Sequence, residues 1–495
     1  MASRPNIVLF NVEHFRADVL AHLGNPASAT PNLDRIAETD GVSFRHAFCQ
    51  NPVCTPSRCS FMTGWYPHVH GHRTMHHMLH AHEPVLLRTL KDAGYYVWWA
   101  GRNDLIPGDA SKEPYCHRYH SGEEYRPPEG PAREAKPAFL GSLAKPMRGE
   151  PGSDTYYSML VGELEAGPDG RYFDWDWANL TAAIDLVRDP PDDRPLCLYI
   201  GMSRAAPPFG IEEPWYSLID RDALPPRTPA PESWEGKPAM MRGIWERRNM
   251  QSWSEERWNE MRAVYYGMCA RLDHQFGLLM DALREADIYD DTAAFFFADH
   301  GVFAGSYGLV EKAQNVFPDC LTNVPLVVKP PASAAVEPRV SDALVELIDI
   351  SATVEAFTGV EPSHTHFGRS LLPVLAGDTD EHRDAVFCEG GRLKGETHCS
   401  EGGAGRESFY WPKVAMQVSE RGEHGKAVML RTSDLKYVYR LYETEELYDL
   451  CCDPGELHNV IADPRYADDL AALKERMLRF MVQTADVVPH KLDSR

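Results

Sequence analysis

Short apolar runs that alternate with helix-period segments constrain the fold of this chain more than any other feature. Residues 7–12, 95–100, 196–202, 293–298 and 325–329 are strand-length and rich in β-branched and aromatic side chains. Between them, residues 83–93, 175–188 and 254–286 carry apolar positions at helical spacing. A strand that is apolar on both faces needs cover on both. The alternation therefore predicts an α/β fold: a large mixed, mostly parallel sheet sandwiched by helices. Ligands of such sheets gather beyond the carboxyl ends of the strands. Glu13-His14 and Asp299-His300 stand there, each directly after a predicted strand.

The pattern fails in two places. Residues 106–170 dissolve into Pro, Gly, Tyr and charged residues, including Tyr125-Arg126-Pro127-Pro128-Glu129-Gly130. A segment of that length is read as an insertion near the substrate mouth. Residues 389–406 are Gly-rich and lead to alternating segments at 427–431, 437–441 and 446–450, then to a helical pattern at 467–484. We expect a catalytic α/β domain over 1–385 and a C-terminal α+β subdomain over 386–495, the latter a smaller antiparallel sheet with one helix. A chain of 495 residues is long enough for both.

Fifty Lys and Arg against 73 Asp and Glu leave a formal charge of −23, which argues against a nucleic-acid or anionic-membrane surface. Any anion-binding site on such a chain must then concentrate its own positive charge. No apolar run approaches the roughly 20 residues that span a bilayer, and no export signal precedes the strand that starts near Asn6. Eleven cysteines without framework spacing suit free thiols in a reducing compartment. A soluble, cytoplasmic protein is expected.

Each acidic/His pair offers a hard oxygen and an imidazole. Two such pairs can serve one divalent cation if the fold brings the strands at 7–12 and 293–298 together.

Several longer motifs occur in a fixed order. Pro5-Asn6-Ile7-Val8-Leu9 leads to Glu13-His14-Phe15-Arg16-Ala17-Asp18, followed by Thr30-Pro31-Asn32-Leu33-Asp34-Arg35. Cys54-Thr55-Pro56-Ser57-Arg58 comes next, with Phe61-Met62-Thr63-Gly64-Trp65-Tyr66-Pro67. Ala298-Asp299-His300-Gly301 follows with Gly308-Leu309 and Lys312, and the chain closes on Glu446-Leu447-Tyr448-Asp449-Leu450 and Asp453-Pro454-Gly455-Glu456. Over nearly its whole length the chain thus resembles the type I, formylglycine-dependent sulfatases of the alkaline-phosphatase-like superfamily, and the related phosphonate monoester hydrolases.

A cysteine with Pro at +2 and Arg at +4 is that family's target for oxidation to formylglycine. The resemblance implies that Cys54 is converted by a formylglycine-generating enzyme. Its hydrate would attack sulfur or phosphorus, and the second hydroxyl would later expel the product by reforming the aldehyde. It implies metal ligation by Glu13, His14, Asp299, His300 and residue 54, with Arg58 steadying the nucleophile and Lys312 balancing charge on the transferred group. Because the family includes many dimers and tetramers, a homo-oligomer is left open.

The chain also departs from the family pattern. Glu13-His14 stands where two aspartates, or Asp and Gln, are usual, and the softer set is read as favouring Mn²⁺ over Ca²⁺. Gly101-Arg102-Asn103-Asp104 replaces a Gly-Lys-x-His segment. Arg102 keeps the charge, while Asp104 is left to orient a neighbour or contact a polar substrate group. Arg204-Ala205-Ala206-Pro207 replaces a segment whose histidine protonates the leaving group. Arg204 is a candidate substrate contact, and His76 or His77, from the histidines at 68–80, is the candidate acid. The primary reading is a sulfuric ester hydrolase acting on a small sugar or aryl sulfate. The alternative is a phosphonate monoester or phosphodiester hydrolase with the same machinery. A third reading, suggested by Asp104 and Ala206, is an inactive binding homologue.

Overall fold

The computed structural model describes residues 4–123, 138, 148–167, 169–489 and 494. In chain order its strands are β1 (Asn6–Val12), β2 (Val42–Phe48), β3 (Tyr96–Gly101), β4 (Arg118–His120), β5 (Leu160–Leu164), β6 (Leu196–Gly201), β7 (Phe209–Glu212) and β8 (Thr292–Ala298). There follow β9 (Asn323–Val324), β10 (Leu326–Lys329), β11 (Arg339–Glu346), β12 (Val386–Gly390), β13 (Ala427–Arg431), β14 (Leu435–Arg440) and β15 (Glu446–Asp449).

The main sheet runs β11-β2-β10-β8-β1-β6-β3-β4, with β9 beside β2. Its core β8-β1-β6-β3-β4 is parallel, whereas β10 pairs antiparallel with both β8 and β2. Sequence periodicity finds β1, β3, β6, β8 and β10 but passes over β2 and β11. Ser43, Arg45 and His46 break the apolar run of β2, and Arg339 and Asp342 that of β11. Both strands lie toward one edge, where a polar side chain is tolerated.

Successive residues of a strand face opposite sides of the sheet. On β8, Phe296 meets Phe276 of the helix Glu255–Glu285 at 5.3 Å between ring centroids, and Phe297 meets Phe61 of the helix Cys54–Thr63 at 5.0 Å. The sheet is therefore covered by helices on both faces, and the Cys54 helix lies on the side of Phe297.

The second sheet, β12-β13-β14-β15, is antiparallel throughout. The helix Ala467–Gln483 covers it through Leu473, Met477 and Phe480, which cluster with Phe387, Leu430, Tyr437 and Leu447. The Glu389 backbone N–H donates to the Gln50 carbonyl at 2.9 Å, tying β12 to the segment that precedes the Cys54 helix. Of the insertion expected at 106–170, residues 124–137, 139–147 and 168, including the Tyr125 to Gly130 motif, lie outside the described residues. Among the described residues no helix is long and apolar enough to cross a membrane. All eleven cysteines are unpaired.

Candidate active site

The site starts from strand register. β1 and β8 pair in parallel from Asn6 opposite Thr292 to Val12 opposite Ala298. Glu13 and His14 consequently leave the sheet beside Asp299 and His300, and the Asp299 N–H still donates to the Val12 carbonyl at 3.1 Å. His14 adopts φ 58°, a left-handed conformation uncommon outside glycine. Its carbonyl accepts from the Tyr265 hydroxyl at 2.8 Å.

The helix Cys54–Thr63 brings the third component. All ten of its residues are buried, and Cys54 is its first residue. The Ser57 hydroxyl donates to the Asp299 carbonyl at 2.5 Å. One turn in, the fully buried Arg58 places Nη2 3.1 Å from Glu13 Oε1 and Nε 3.1 Å from Asp299 Oδ2. One guanidinium thus joins the two carboxylates that follow β1 and β8. Its Nη1 lies 3.3 Å from the Tyr199 hydroxyl on β6.

Lys312 completes the centre. Its Nζ lies 3.0 Å from Cys54 Sγ, 3.2 Å from His14 Nε2 and 3.3 Å from His300 Nε2. His300 Nδ1 is 2.8 Å from the Gly301 carbonyl, which can only accept, so Nδ1 carries the proton. Nε2 then presents its lone pair to Cys54 Sγ at 3.2 Å. Arg102, at the end of β3, contacts Glu13 Oε1 at 3.0 Å and Asp104 Oδ2 at 2.6 Å.

Burial sets most of the electrostatics. It pushes Glu13 up to about 7 against the pull of Arg102 and Arg58, with Asp299 adding to the rise. It pulls His300 down to about 3 and His14 well below the usual imidazole value, so both rings are neutral near pH 7. Burial, helped by Glu13, also raises the Cys54 thiol. For Lys312 burial works against the charge, but Cys54 and Glu13 hold it above the ordinary lysine value. Asp104 behaves similarly: burial opposes ionisation, yet Arg102 and Arg58 bring it down to about 2.

This donor set fits a divalent cation. The ligand atoms of Cys54, Asp299 and His300 lie within 4.8 Å of one another, as do those of Glu13, Cys54 and Asp104. Residue 54 belongs to both groups. Glu13 Oε2 is buried without a hydrogen-bond partner among the described residues, the arrangement expected where an acceptor is meant for a cation. Asp104, expected as an orienting or substrate residue, falls among the potential ligands. His14 falls in neither group and instead faces Lys312 through Nε2.

A cavity of about 490 Å³ opens on this centre, lined by Glu13, His14, Arg102, Arg204 and Lys312 among others. Arg204 is buried at the cavity wall: Nε lies 3.2 Å from Asp174 Oδ2, Nη1 donates to the Gly210 carbonyl, and Nη2 has no hydrogen-bond partner among the described residues. The histidines proposed as acids are placed elsewhere. Met75 lines the cavity, whereas His76 is exposed and His77 Nδ1 sits 2.5 Å from Thr74 Oγ1, both outside the lining. The sequence reading also missed Lys413, a buried cavity residue whose Nζ lies 3.0 Å from Glu311 Oε1 and 2.8 Å from Glu401 Oε2. Glu311 was discoverable as the neighbour of Lys312. Lys413 carried no local signal.

The sulfatase family model matches residues 5–360. The multifunctional alkaline phosphatase superfamily protein PehA of Trinickia caryophylli is 24% identical, covering 98% of this chain and 96% of its own. The choline-sulfatase of Rhizobium meliloti is 26% identical over 95% and 85% of the two chains. Among solved structures, the phosphonate monoester hydrolase of Agrobacterium radiobacter superposes with a TM-score of 0.75 at 22% identity, covering 99% of this chain and 100% of that one.

Proposed function

The chain belongs to the sulfatase family and is a hydrolase of ester bonds, and from that premise we propose that it cleaves a phosphate diester or phosphonate monoester with a formylglycine nucleophile made from Cys54. The observation that carries the choice of substrate is Asp104, whose carboxylate lies within 4.8 Å of the ligand atoms of Cys54 and Glu13. A sulfate monoester presents three non-bridging oxygens to be held at the reacting centre. A diester or phosphonate monoester presents two, with an alkoxy or carbon substituent in the third position. An ionised carboxylate beside the nucleophile has no hydrogen to donate to a third non-bridging oxygen, and Ala206 offers no donor to hold one. That a phosphonate monoester hydrolase shares the fold over its whole length supports the same reading.

A divalent cation held by Glu13, Asp299, His300 and residue 54 would supply Lewis-acid activation of the attacking hydroxyl, and the mixed oxygen and nitrogen donors favour Mn²⁺ over Ca²⁺. Arg58 fixes the Glu13 and Asp299 carboxylates relative to the Cys54 helix. Cys54 Sγ marks the place where the oxygen of a converted residue would stand, and Lys312 lies 3.0 Å from it. Its ammonium is positioned to balance charge that gathers on the transferred group. The hydrate's second hydroxyl then lets residue 54 release the product by reforming its aldehyde, without a second attack by water. Maturation by a formylglycine-generating enzyme is a requirement of this reading.

The sulfate monoester reading rests on the family match and the Cys54 pentapeptide. Rates on an aryl sulfate, phosphate monoester, phosphate diester and phosphonate ester that share one leaving group separate the two. Cys54 conversion is first verified by mass spectrometry. The diester and phosphonate are expected to react fastest, and a dominant sulfate rate would overturn the proposal.

A further inference from the structure

A second group of metal-ligating side chains lies apart from the catalytic centre. A ring nitrogen of His77, a ring nitrogen of His398 and the Cys399 sulfur lie within 4.8 Å of one another. The two imidazoles meet edge to face with centroids 5.7 Å apart. They come from segments more than 300 positions apart: His77 from the turn beyond the short helix Pro67–His70, and His398 and Cys399 from the short 3-10 turn Thr397–Cys399.

His77 and Cys399 are held by their surroundings. His77 Nδ1 contacts Thr74 Oγ1 at 2.5 Å, an orienting bond of the kind ligating imidazoles make, which leaves Nε2 to a cation. Cys399 is buried, and its N–H is anchored on the Glu396 carbonyl at 3.0 Å. Arg73 is paired with the Glu396 carboxylate at 3.0 and 3.1 Å.

We propose that His77, His398 and Cys399 form a second cation site of the zinc class, a two-imidazole, one-thiolate set with an open fourth position. Thiolate and imidazole together select a soft or borderline ion over Ca²⁺ or Mg²⁺. The site has a structural consequence for the catalytic cavity. Met75 lies two residues from His77, and Glu401 lies two residues from Cys399, and both line that cavity. A bound ion would clamp these two stretches of wall together at a point the hydrolytic reaction does not use.

Co²⁺ titration tests the proposal, since a cobalt–thiolate bond gives a charge-transfer absorption that imidazole and carboxylate ligands do not. The titration uses the full chain carrying Cys54→Ala, which removes the other buried thiol near a metal group. A thiolate band is expected, together with one more equivalent of tightly held Zn²⁺ by elemental analysis than in the same chain carrying His398→Ala. The band is expected to vanish in Cys399→Ser and to weaken at least tenfold in apparent affinity in His398→Ala. His398 is exposed, so its loss leaves the fold intact. Absence of the band, its persistence in Cys399→Ser, or equal Zn²⁺ content with and without His398 would each overturn the site.

Discussion

Val12 stands opposite Ala298 in the parallel pairing of β1 with β8, so the dipeptides that follow them, Glu13-His14 and Asp299-His300, emerge from adjacent strand ends. Arg58 bonds to the carboxylate of each pair, at 3.1 Å both times. Two stretches nearly 290 residues apart become one polar centre through register and a single guanidinium.

That guanidinium is irreplaceable by an ammonium. Arg58→Lys keeps the charge but lacks the planar fork that reaches Glu13 and Asp299 together. We expect divalent-metal affinity to fall about 10- to 100-fold, as for other groups that orient ligands. Equilibrium dialysis against Mn²⁺ reads this directly.

Lys312 sits within 3.3 Å of Cys54 Sγ, His14 Nε2 and His300 Nε2. Lys312→Met is expected to lower kcat by about 100- to 1,000-fold, the usual cost of removing one donor to developing charge. Metal content, measured by elemental analysis, should be retained.

Asp104 is the test of substrate choice. Asp104→Asn removes the carboxylate from beside the nucleophile and is expected to raise the sulfate-to-diester ratio of kcat/KM by about tenfold, or ~1.4 kcal/mol. An unchanged ratio in parallel assays would leave Asp104 without a role in selectivity.

Metal ligation has its own control. Asp299→Asn should reduce bound divalent metal and abolish turnover together, since Asp299 shares the buried group with Cys54 and His300. Chelation of the unaltered protein should give the same loss of activity, reversed by added Mn²⁺.

A buried ion pair away from the site makes one contribution to acid sensitivity. Arg383 binds the Asp349 carboxylate through Nε at 2.9 Å, and Asp349 also accepts from the Arg369 and Glu346 N–H groups at 2.8 and 2.9 Å. Burial opposes the Asp349 charge, but Arg383 holds the group well below the usual carboxylate range. A depressed folded value contributes stability that is whole above the unfolded value of ~3.9 and is lost as pH falls below it. The drop in thermal midpoint between about pH 4 and pH 2 should therefore be shallower in Asp349→Asn. Arg383 Nη1 also lies 3.0 Å from the buried Glu346 carboxylate, so Arg383→Met strands two buried carboxylates and should cost about 3–5 kcal/mol at pH 7.

The sequence by itself determined the layered α/β fold, the second antiparallel sheet with its helix, and the residues around which the centre is built. Apolar periodicity and motif order are local properties, so Ile7 to Phe10, Phe295 to Phe297 and the Cys54 pentapeptide are legible without coordinates. Only the tertiary structure decided which of the candidates meet. It placed Asp104 among the potential ligands, put His76 and His77 outside the cavity, committed Arg204 to Asp174, and supplied Lys413 from a helix with no motif of its own. These depend on strand register and on loops that return across hundreds of residues. The pairing of a buried charge is a property of the partners that surround it, and no window of neighbouring residues records them.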